Sequence, residues 1–153
     1  MARTNDEDRG SPFPKLGVGI ADTFRVEFTP TSRDKRFGVF QLYIEGIPIG
    51  DASTTALYPH IANLSRLCAI AEHRSERKRS RLHLGDTFDH LDMYVEMSQV
   101  DVLFTFTTRP ECGGPPPWAP PVGRKMRLSV ARSEFISTWR QAEPQFRHLL
   151  ASQ

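Results

Sequence analysis

Cysteine is scarce in this chain. Its 153 residues hold two, Cys68 and Cys112, far apart and without a CxxC or other ligand-like spacing, which argues against a disulfide framework or a zinc site. Long apolar runs are missing too. No stretch approaches the ~20 residues that a bilayer-spanning helix needs, and the opening MARTNDEDRG is polar where a secretory leader is apolar. The expectation is a cytoplasmic protein with no membrane partner. An excess of one charge sign is also lacking: 20 Lys and Arg against 18 Asp and Glu leave a formal charge of +2. Nucleic-acid binders concentrate a surplus of cations against phosphate, so this balance argues against one unless the charge is gathered locally.

The usual catalytic patterns are absent as well. There is no GxSxG elbow, and Gly17-Val18-Gly19 is not followed by the further glycine of a phosphate-cradling turn. His60, His73, His83, His90 and His148 are dispersed and form neither HxH nor HExxH, so surface or capping roles are expected for them and no metal site. The best acidic cluster is Asp86, Asp89, His90 and Asp92 in GDTFDHLD. Carboxylates bunched between two strands are ordinarily turn residues that bond their own backbone, so no catalytic residue and no cofactor is assigned.

What the chain does have is core material. Hydrophobic residues make up 39% of it, including ten Phe and two Trp, enough for one domain of about this size. Met1 to Lys15 mix charges with Ser and Pro and predict a flexible tail, leaving residues 16–153 as the domain. Phe24, Val26 and Phe28 alternate with polar residues until Pro30, and Phe40, Leu42 and Ile44 do the same, as in strands buried on one face. Glu45-Gly46 fits a two-residue turn returning into Ile47-Pro48-Ile49, which Pro48 confines to a short edge strand. Pro59 suits the first turn of a helix reaching Arg74, with Ile61, Leu64, Leu67, Cys68 and Ala71 on one stripe.

Leu82 to Leu84 suggest a short strand. Leu91 to Met97 and Val102 to Phe106 read as a hairpin joined by a short SQVD link, and Met126, Leu128 and Val130 as a last strand. Arg109 to Gly123 is a Pro- and Gly-rich loop around Trp118. Ser133 is a fitting N-cap for a closing helix to Leu150 that Pro144 should bend or restart. The order of elements predicts an α+β fold: an antiparallel sheet of about five or six strands with two main helices packed against it.

Two features exceed what a core demands. The cations Arg74, Arg77, Lys78, Arg79 and Arg81 form the densest charge run. It reads either as a solvated helix end or as a grip for phosphate or an acidic protein surface. Trp118 either anchors a partner or folds back to cap the sheet. The partner-binding candidates are therefore Trp118, Arg77, Lys78, Arg79 and Arg81.

The segment Gly38 to Tyr58, GVFQLYIEGIPIGDASTTALY, resembles small bacterial immunity proteins of polymorphic toxin systems, in which F-x-L-x-I-x-G-x-x-I-G leads through a linker into an apolar helix. The ending VARSEFISTWRQAEPQFRHLL is similar to their last strand and closing helix. Together these cover about a quarter of the chain. The resemblance implies a cytoplasmic antitoxin, not an enzyme, that neutralises a cognate toxin domain by direct protein contact. The rival expectation is a small nucleic-acid-binding module using the basic run 74–81.

Overall fold

The computed structural model describes residues 14–31, 33, 35–50, 54–73, 78–81, 91–110 and 117–151, with only the backbone of 78–81. Strands β1 (Leu16–Ile20), β2 (Phe24–Pro30), β3 (Phe37–Ile44) and β4 (Ile47–Ile49) form an antiparallel sheet in chain order, and the short β5 (Thr55–Ala56) pairs with the start of β3. Helix α1 (Leu57–His73) follows. A second antiparallel sheet then forms from β6 (Lys78–Arg81), β7 (Leu91–Met97), β8 (Asp101–Thr108) and β9 (Lys125–Ala131), and α2 (Arg132–Ala151) closes the chain. The α+β class and the two helices are as the patterning predicts. The strands, however, divide between two sheets, because each group pairs with its chain neighbours on its own side of α1.

Register explains the alternation. Phe24 faces Ile44, Val26 faces Leu42 and Phe28 faces Phe40 across β2 and β3, and all six are fully buried. In the second sheet Val95 faces Phe104, which in turn faces Leu128, so one apolar row crosses three strands. Cross-strand pairs of this kind are the unit of sheet stability.

Turns lock the first sheet together. Glu45 and Gly46 have φ of 52° and 82°, the left-handed values that a two-residue hairpin turn requires and that Gly adopts without penalty. Their amides donate to the carbonyls of Thr23 (3.2 Å) and Ala21 (2.9 Å), tying this turn to the β1–β2 turn. Pro48 sits opposite Tyr43 in the three-residue β4, as an edge position allows. The glycines of β1, a strand that alternation does not reveal, make room for Arg25. A Cβ on Gly17 would lie 2.2 Å from its guanidinium, which donates to Gly19 O at 2.9 Å and to Glu27 at 2.8 Å.

Helix α2 packs on both sheets and on α1. Phe135 is the bridge: its ring centroid lies 5.2 Å from Phe24 in the first sheet and 6.4 Å from Phe104 in the second. Arg132, at the start of α2, donates to the Ala71 carbonyl near the end of α1. The helix neither breaks nor restarts at Pro144; the ring removes one amide donor, while Ala142 and Phe146 on either side stay in the core. Among the described residues no helix is long and apolar enough to cross a membrane.

Candidate functional site

The residues singled out from sequence do not converge. Asp86, Asp89 and His90 lie outside the described residues, and Asp92, in β7, is held by Arg109 through Nη2 (2.8 Å) and Nε (3.2 Å). Arg74 and Arg77 are also outside them, as are Leu82 to Leu84. The rest of the basic run corrects the reading of a solvated helix end. Helix α1 is described as far as His73, and Lys78 to Arg81 form β6, registered from Lys78 opposite Met97 to Arg81 opposite Tyr94. Strand pairing with β7 outweighs local propensity here.

Trp118 folds back. Its ring meets Phe106 edge-on at 5.7 Å and its indole N–H donates to Gly50 O at 2.9 Å, leaving it half-buried against the core. His60 differs from the expected surface role, being fully buried, stacked on Phe40 at 4.1 Å and within 3.1 Å of Thr55 Oγ1. The signal was helical spacing, since residue 60 falls on the stripe of Leu57 and Leu64.

A cleft of about 410 Å³ separates α1 from α2. Trp139 Nε1 donates to Ser65 Oγ at 3.2 Å, and Ser65 donates in turn to Glu143 at 2.9 Å. Nearby, Glu72 accepts from Arg140 Nε at 2.6 Å and from the Cys68 thiol at 3.4 Å. The Arg140 bond is the main reason the Glu72 carboxyl is lowered to about 2. Burial, reinforced by the bond to Glu72, pushes the Cys68 thiol up to about 12. A thiol so firmly protonated is a poor nucleophile. These groups satisfy one another, and the cleft works as a polar clasp between helices.

A second recess, of about 550 Å³, opens beside the C-terminal end of α2. Phe37 and Tyr58, 46% and 63% exposed, form its aromatic walls, Arg36 and Arg147 its charged rim, and Ala56, Leu150 and Ala151 the remainder. Large exposed aromatics beside arginine are the composition of interface anchors rather than of ordinary surface. Sequence reasoning passed over both aromatics, yet their positions were legible. Phe37 is out of phase with Phe40, Leu42 and Ile44 on a period-two strand, and Tyr58 falls off the apolar stripe of α1.

No protein-family model, curated protein or solved structure matches the chain.

Proposed function

We propose that this chain is an immunity protein of a polymorphic toxin system, which binds a cognate toxin domain by direct contact and neutralises it. One observation carries the reading. The two segments that resemble immunity proteins lie far apart in sequence, yet they meet at the recess beside α2: Ala56 and Tyr58 come from the first, Arg147 and Leu150 from the second, and Phe37 directly precedes the first. An exposed apolar patch of this kind marks an interaction site more often than ordinary exterior. Such a surface suits a function performed by binding, in which a few aromatic and arginine anchors supply most of the affinity.

The deciding experiment is genetic. The reading expects a large toxin-bearing gene immediately upstream of this chain's own, and the toxin domain it encodes is expressed with and without the chain. Growth arrest by the toxin alone and restored growth on co-expression are expected. Continued arrest despite abundant folded chain would reject the reading.

A further inference from the structure

We propose that the recess formed by Phe37, Tyr58, Arg36 and Arg147 docks an acidic protein segment that presents an apolar side chain between carboxylates; that the segment belongs to a toxin rests on the immunity reading above.

Charge comes first. Arg36 and Arg147 are the ionised side chains among the described residues that line the recess. On the neighbouring flank of α2, a recess of about 660 Å³ is edged by Lys15, Lys35 and His148. A carboxylate approaching either side of the helix end therefore meets cations, and carboxylates pair with guanidinium in a two-pronged geometry. Arg147 can enter such a pair at little cost. Its side chain is 52% exposed and its contact with Glu143, one helical turn back, is 3.7 Å long, an exposed pair of the kind that contributes little. The carbonyl end of α2 carries partial negative charge that opposes an anion at the terminus itself, so the carboxylates must sit on the arginine rim, with the apolar side chain against Phe37 and Leu150.

The same pairing of aromatics with arginine could stack nucleic-acid bases, but a strand also needs an unbroken track of cations for its phosphates. Along α2 that track is interrupted: Glu143 lies beside Arg147, and Glu72 of α1 beside Arg140. A short acidic peptide needs no such track, since a carboxylate at the recess can compete with Glu143 for Arg147, whose existing contact is long and exposed.

The test titrates the full chain with three fluorescein-labelled probes: a ten-residue peptide of alternating Glu and Leu, its counterpart with Lys for Glu, and a ten-nucleotide oligothymidylate. Saturable binding of the acidic peptide alone is expected, weakened at least about tenfold by Arg147→Glu and by Tyr58→Ala, in the range of interface anchors. Both positions are exposed, and circular dichroism checks that the variants stay folded. Preference for the oligonucleotide or the Lys peptide, absence of saturation by the acidic peptide, or binding unchanged in both variants overturns the proposal.

A parallel titration with a catalytically inactivated form of the neighbouring gene's toxin domain separates the two readings. Tight binding that is unchanged in Arg147→Glu and Tyr58→Ala overturns the docking site and leaves the immunity reading standing. Binding of the acidic peptide at the recess without any binding of the toxin domain does the reverse.

Discussion

Trp118 donates its indole N–H to the carbonyl of Gly50 at 2.9 Å, so the tryptophan of a Pro-rich loop is tied to the residue that follows β4. Its ring also lies edge-on to Phe106 at 5.7 Å, which spans the first sheet's last turn and the face of the second. Replacing Trp118 with Ala is expected to cost about 2 kcal/mol of stability, below the ~3–5 of a fully buried aromatic because the ring is half-exposed. Denaturant unfolding measures this, and the affinity of the folded variant for the proposed toxin partner should stay within about threefold of the parent, well under the loss shown by interface anchors. A large affinity loss at unchanged stability would instead make Trp118 an anchor.

Phe135 holds the two sheets to one core. Its removal as Phe135→Ala should cost about 3–5 kcal/mol, whereas Phe135→Leu should cost markedly less by keeping most of the volume. Equal losses in the two variants would show that the ring's own contacts with Phe24 and Phe104, and not the volume it fills, carry its contribution.

The Glu72 carboxyl is lowered from 4.5 to about 2, chiefly by Arg140. A group whose folded pKa is depressed stabilises the protein above its unfolded pKa and loses that contribution as pH falls through the folded value. The wild-type unfolding temperature should therefore decline between about pH 4.5 and 2 more steeply than that of Glu72→Gln. Parallel curves in that window would mean that the ion pair with Arg140 is too solvated to stabilise the fold.

Cys68 is buried and its thiol is raised to about 12. In a Cys112→Ser chain the remaining thiol should resist a thiol-reactive dye at pH 8 in the native state and react fully in denaturant, since thiolate fraction and access both limit the reaction. Rapid native labelling would show that the α1–α2 clasp opens readily.

Helix α1, the β2–β3 pair, the turn at Glu45-Gly46 and the β7–β8 hairpin could all be read from the sequence, because each rests on a period or a turn preference contained within a short window. Pro48 marked an edge strand for the same local reason: a residue without an amide proton limits its own neighbours. The basic run could not be read this way. Lys78 to Arg81 became a strand because β7 offers it backbone partners further along the chain, from Tyr94 opposite Arg81 to Met97 opposite Lys78, a long-range gain that local composition does not encode. His60 went inside because Phe40, on another element, provides a ring to stack on.

The recess divides between the two levels. Sequence alone determined that Phe37 and Tyr58 fall outside the apolar stripes of their own elements, since periodicity sets which face a side chain occupies. Only the tertiary structure decided that they share one surface with Arg147, because that depends on α2 crossing both sheets, anchored by Phe135, and so ending beside the start of β3 and α1.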